Sequence, residues 1–92
     1  MKTRLRLIIQ GELNLPGVPF RQIMRDVARM NGVTGWVRFL SDGAAEAVLE
    51  GEEAGVDAVL RFAYAGAQGT KVREVVVIKE EYKGEFADFK VI

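Results

Sequence analysis

A chain of 92 residues, 49% of them apolar, with 13 basic and 13 acidic side chains, has the make-up of one small folded domain. A net charge of zero gives no general attraction to nucleic acid or to an anionic membrane, and the absence of both Cys and His removes disulfides, thiolate metal sites and the commonest neutral-pH base. No apolar run of roughly 18 residues exists, and the opening MKTRLRLIIQG lacks a signal peptide's long apolar stretch and cleavage site, so the expected compartment is cytoplasmic.

Residues 3–10 alternate basic or polar with apolar side chains and then turn continuously apolar at Leu7-Ile8-Ile9, which predicts a central strand. Residues 11–19 contain both prolines of the chain, two glycines and Asn14, the composition of a structured loop. From Phe20 to Met30 the period becomes helical. Phe20, Ile23, Met24, Val27 and Met30 share one face, and Arg21, Arg25 and Arg29 lie on another. Pro19 suits the first turn, where its missing N–H costs nothing, and Asn31-Gly32 suits a helix end because either residue tolerates the left-handed conformation.

Residues 33–39 and 45–49 read as strands joined by the hairpin turn Ser41-Asp42-Gly43, a connection short enough to require antiparallel pairing. Glu52-Glu53 then places carboxylates where a helix start favours them, and Val56, Val59, Leu60 and Ala63 form its apolar stripe, with Phe62 at the edge and residues 66–69 as its end. Residues 72–78 are the most strand-prone segment, and 86–92 are expected to close the sheet. The order predicts an α+β chain, a ferredoxin-like βαββαβ two-layer sandwich over residues 1–92 with both helices on one face and a short extra strand at the C-terminus. The other face needs charged or small residues, and Lys71, Arg73 and Lys79 fit a wet surface. Trp36 is expected in the core, with a ligand platform as the alternative. Arg38 shares its face, though its length lets it reach solvent.

Chemistry concentrates where the first loop enters the first helix. Unpartnered N–H groups at a helix start attract anions, turn glycines let successive N–H groups converge, and Arg21 can clamp two phosphate oxygens. The same residues also suit a plain turn followed by a solvated arginine.

At these positions the chain resembles the acylphosphatase family. The family's loop resembles G-x-V-Q-G-V-x-F-R, and here Gly17-Val18-Pro19-Phe20-Arg21 matches its second half while Gly11 fits its first glycine. Gly32-Val33-Thr34-Gly35-Trp36-Val37-Arg38 matches the family's G-x-x-G-W-V-R-N up to the last position, and Leu40-Ser41-Asp42-Gly43 matches the turn that follows. Glu46-Ala47-Val48-Leu49-Glu50-Gly51 and Phe89-Lys90-Val91 resemble the family's third and terminal strands. The resemblance implies hydrolysis of the carboxyl–phosphate bond without metal or cofactor. It places Arg21 as the catalytic arginine that binds the phosphoryl group, with Gly17, Val18 and Phe20 beside it. The asparagine that orients the attacking water corresponds to Phe39, which has neither donor nor acceptor. Gly11 to Arg21 is also two residues longer than the family's spacing, Pro16 and Pro19 each lack an N–H, and Glu12 adds negative charge to the loop. Asn14 carries the amide that Phe39 lacks and is the candidate substitute.

The expected function is therefore an acylphosphatase-like domain that binds phosphate and has weak or lost acyl phosphate hydrolase activity. The alternatives are an active enzyme using Asn14, or a non-catalytic interaction module. The expected partner is a small acyl phosphate or inorganic phosphate. Neither nucleic acid nor membrane is expected, and the chain would be a monomer or a weak homodimer through an edge at residues 72–78. An RNA-binding sandwich is disfavoured because residues 45–49 carry no aromatic for base stacking and the net charge is zero.

Overall fold

A computed structural model describes residues 1–92. The elements run β1 (Lys2–Glu12), α1 (Phe20–Met30), β2 (Thr34–Phe39), β3 (Ala45–Glu52), α2 (Glu53–Ala65), β4 (Lys71–Glu80) and β5 (Phe89–Val91). They form one sheet in the order β4-β1-β3-β2-β5, antiparallel throughout except for the short parallel pairing of β2 with β5. Both helices pack on the same face and against each other, as the βαββαβ reading expects. No helix is long and apolar enough to cross a membrane.

The register explains the core. Leu7 of β1 stands opposite Ala47 of β3 and Val77 of β4, and Val37 of β2 also stands opposite Ala47. With period-two alternation, Leu5, Leu7, Ile9, Gly35, Val37, Phe39, Ala45, Ala47 and Leu49 all face the helices. There they meet Phe20, Met24 and Ala28 of α1 and Val56, Val59 and Ala63 of α2. Gly35 is required by close backbone approach: a Cβ there would lie 1.8 Å from the Val48 carbonyl oxygen, at φ +139°. Gly35→Ala is expected to cost about 2–3 kcal/mol, since the obstruction is strand backbone rather than a movable side chain. Chemical denaturation would read this as a lower midpoint with an unchanged slope.

The opposite face carries an ion network. The Arg4 guanidinium donates to Glu80 at 2.8 Å, to Glu50 at 3.3 Å and to Glu85 at 2.5 Å. Glu50, only 1% exposed, also accepts the backbone N–H groups of Lys83, Gly84 and Glu85 at 2.8, 3.2 and 3.2 Å. Residues 83–85 are thereby tied to β3. Burial pushes the Glu50 carboxyl up, but the three amides and Arg4 outweigh it and hold the group below the usual carboxylate range. Farther along, Glu46 bridges Arg6 at 2.7 Å and Arg38 at 2.8 Å.

Three local expectations need correction. The closing strand spans only Phe89–Val91, because residues 86–88 make other contacts: the Phe86 ring lies under Arg4 at 5.5 Å, and Asp88 binds Arg29 of α1 at 2.8 Å and the Phe89 N–H. Trp36 is not in the core. It is half-buried on the face away from the helices, with the Arg6 and Arg38 guanidinium groups 5.7 and 5.6 Å from its ring. Arg38 reaches solvent from that same face, as its length allows, and pairs with Glu46. Lys79 stands opposite Leu5 and so lies at the rim of the helix face.

Candidate functional site

The loop between β1 and α1 is anchored at both ends. Leu13 is 1% exposed in the core, and the Val18 side chain packs against the same cluster. Between them the Val18 N–H donates to the Leu15 carbonyl at 3.1 Å, closing a tight turn whose glycine, Gly17, takes φ +76°. The chain enters α1 through Pro19 with no side-chain cap. Ile23 is the first residue whose N–H reaches a carbonyl, that of Pro19 at 3.0 Å. The N–H groups of Phe20, Arg21 and Gln22 have no partner within the protein, nor does that of Gly17. The first turn of α1 holds no acidic residue, so its positive dipole end is left uncompensated.

These donors border a cavity of about 360 Å³. Its walls are Asn14 and residues 17–19 of the loop, residues 20–22 of the helix, and Phe39 from the end of β2. Phe39 reaches it because residues 35, 37 and 39 share the helix face of β2, and position 39 ends that strand beside the start of α1. Phe39 is stacked on Phe20, ring centroids 6.5 Å apart and planes at 25°, and Phe20 meets Phe62 of α2 at 5.5 Å.

Arg21 is the only charged residue in the walls. Arg4, Arg6, Arg25, Arg29, Arg38 and Arg61 each hold a carboxylate, whereas Arg21 forms neither a salt bridge nor a hydrogen bond. Its Nε is the one buried side-chain nitrogen or oxygen in the protein without a partner. Its guanidinium carbon lies 4.7 Å from the centre of the Phe39 ring. An arginine without an ion pair in the wall of a cavity, beside a helix start whose first three N–H groups are free, is a set of donors suited to an oxyanion.

The structure thus brings Arg21, Asn14, Gly17, Val18, Phe20 and Phe39 around one cavity. It divides their roles differently from the sequence reading. Val18 supplies an apolar wall, since its N–H is committed to Leu15. Pro19 lines the cavity and Pro16 does not. Glu12 lies outside it, exposed at the end of β1 opposite Lys71, so the extended strand carries that charge away from the site. Gln22 was not anticipated. Its only sequence signal was its place beside Arg21 in the first helical turn, where N–H groups are free whatever the side chain. No group of three or more His, Cys, Asp or Glu side chains is arranged to hold a metal ion.

Comparison with known proteins bears on the same region. The family model described as acylphosphatase matches residues 5–91. An acylphosphatase of Pyrobaculum aerophilum is 50% identical over 90 residues, covering 97% of this chain and 93% of that protein. An acylphosphatase from Coxiella burnetii superimposes with a TM-score of 0.90 at 27% identity, over 99% of this chain and 93% of the other. That of Bacillus subtilis gives 0.89 at 25% identity, over 100% and 99%.

Proposed function

The chain belongs to the acylphosphatase family, and on that premise we propose that its cavity binds the phosphoryl group of an acyl phosphate and hydrolyses it slowly. The observation that carries this reading is Arg21, the one charged residue in the walls and free of any salt bridge, in a cavity lined by residues 17 and 20–22, whose N–H groups are free.

In this mechanism the phosphoryl oxygens sit against Arg21 and the N–H groups of Gly17, Phe20, Arg21 and Gln22. Water attacks phosphorus in line, the phosphorus–oxygen bond to the acyl group breaks, and a carboxylate leaves. The water's oxygen stays on the phosphate and its proton passes to solvent or to a phosphate oxygen. A carboxylate is a weak base, so its departure needs no general acid. Catalysis rests on positioning and on charge stabilisation by fixed donors. Slow turnover follows from Phe39, because a ring edge cannot accept a hydrogen bond from the attacking water.

A second reading rests on Asn14, which lines the same cavity and is exposed to solvent there. Its amide has the donor and acceptor that position 39 lacks, and if it orients the water the wild type is fast.

Steady-state hydrolysis of an aryl acyl phosphate, benzoyl phosphate, separates these readings. The expected result is a slow wild type, little affected by Asn14→Ala, and a Phe39→Asn variant whose kcat rises by about 10-fold or more while KM changes less. A fast wild type that Asn14→Ala disables, with the fold intact, would establish Asn14 as the water-positioning group. Failure of the wild type both to bind phosphate and to hydrolyse the substrate would overturn both readings.

A further inference from the structure

Phe39 does more than fill the place of a polar residue. Its ring is 4.7 Å from the Arg21 guanidinium, the shortest of the five cation–ring approaches in the protein. The other arginines that lie over rings, Arg4, Arg6 and Arg38, are also oriented by carboxylates. Arg21 has only the ring. We propose that Phe39 is the positioning residue for Arg21: its face holds the guanidinium over the loop amides, so that the cation is aimed at the phosphoryl oxygens before the ligand arrives. This inference rests on the phosphoryl-binding reading of the cavity.

The physical reason lies in charge. A long arginine side chain must lose rotamer freedom before it can present a fork of N–H groups, and some neighbour has to fix it. A carboxylate would do so at the expense of the positive charge that a phosphoryl dianion needs. An aromatic face attracts the guanidinium through its quadrupole and leaves that charge whole. The ring is itself held rigidly. Phe39 closes β2 opposite Ala45, stacks on Phe20, which is 1% exposed, and through Phe20 reaches Phe62 of α2. A column of aromatic rings therefore runs from the core to the guanidinium and ends where the anion binds. The stack keeps the side chain in place although its Nε has no hydrogen-bond partner.

The test is a phosphate titration of wild type, Phe39→Leu, Phe39→Met and Phe39→Tyr, following backbone amides 17–22 and the Arg21 Nε–H by NMR. Leucine and methionine keep the position apolar and remove the π-face, whereas tyrosine keeps the face. Wild type and Phe39→Tyr are expected to bind phosphate alike and to show a resolved Arg21 Nε–H that shifts on binding. Phe39→Leu and Phe39→Met are expected to bind roughly 3- to 10-fold more weakly, as loss of one such contact implies. In both, the Nε–H should exchange faster with water while amides across β1 and β3 stay unperturbed. Equal phosphate affinity and equal Nε–H exchange in all four proteins would overturn the positioning role while leaving the phosphoryl site intact. A wild type that shows no phosphate-dependent shift at residues 17–22 would overturn the underlying site itself.

Discussion

Arg21→Met is expected to abolish phosphate-dependent amide shifts at the β1–α1 loop and to reduce kcat/KM for benzoyl phosphate by about 10³-fold, with almost no loss of stability. Removing one fixed donor from a charge-stabilising site costs about 10²–10³ in rate, and a guanidinium that contributes both charge and geometry belongs at the upper end. The stability expectation follows from the same structure. Arg21 has no ion pair to lose, and its buried Nε lacks a partner. Removing that donor relieves a desolvation penalty of about 1–3 kcal/mol. Losing the stack on Phe39 costs about 0.5–1 kcal/mol, and methionine retains most of the apolar stem. The two effects oppose each other, so the change in Tm should stay within about 5 °C in a domain of this size. A loss of function without loss of stability marks a residue kept for binding. A large fall in Tm, or activity close to wild type, would contradict that role.

Glu50→Leu is expected to do the reverse, destabilising the fold by about 3–5 kcal/mol. This carboxylate is buried, and four donors depend on it: the Arg4 guanidinium and the backbone N–H groups of residues 83–85. Without Glu50 the three amides lose their acceptor and Arg4, itself 6% exposed, loses its buried partner. Glu50→Gln keeps an acceptor and should cost less. Hydrogen exchange at amides 83–85 is the local readout, since protection there should vanish before the sheet opens.

The same cluster sets a pH dependence. Burial pushes Glu46 up, but Arg38 and Arg6 outweigh it, and Glu50 ends low for the reasons already given. Arg6 and Arg4 also draw Glu80 down. A carboxyl whose pKa is lower folded than unfolded contributes fully above its unfolded value, near ~4.3, and loses that contribution as pH falls through the folded value. Stability should therefore be level from neutral pH to about pH 5 and fall progressively below about pH 4. The fall should be shallower in Glu50→Gln. A steeper loss above pH 6 would contradict this assignment, as no histidine is present to titrate there.

Local patterning determined much of this protein. The helical period between Pro19 and Asn31 located α1 at Phe20–Met30, and the turn at Ser41-Asp42-Gly43 required β2 and β3 to pair antiparallel. The position of Arg21 in the first helical turn made it an anion candidate before any contact was known, because free N–H groups at a helix start depend on backbone geometry alone. The family motif was legible for the same reason: its loop and strand residues are close together in sequence.

What sequence could not decide was which side chains meet across the sheet. Trp36 alternates in phase with charged Arg38 and out of phase with Val37, yet its size alone pointed to the core. Only the register, Val37 against Ala47 and Trp36 against Val48, placed it outside the helix layer. Glu50 looked like a strand residue of no special kind until residues 83–85, more than 30 positions away, brought their amides to it. Glu12 was close to the loop in sequence and yet lies outside the cavity, because β1 runs on to Glu12 before the chain turns. Phe39 and Arg21 are separated by a helix and most of a strand, and their stacking depends on how α1 lies across β2. Hydrophobic period and turn chemistry act over a few residues. The partners of a buried charge or an unpaired guanidinium are settled only when the layers pack, since burial is what makes those interactions strong.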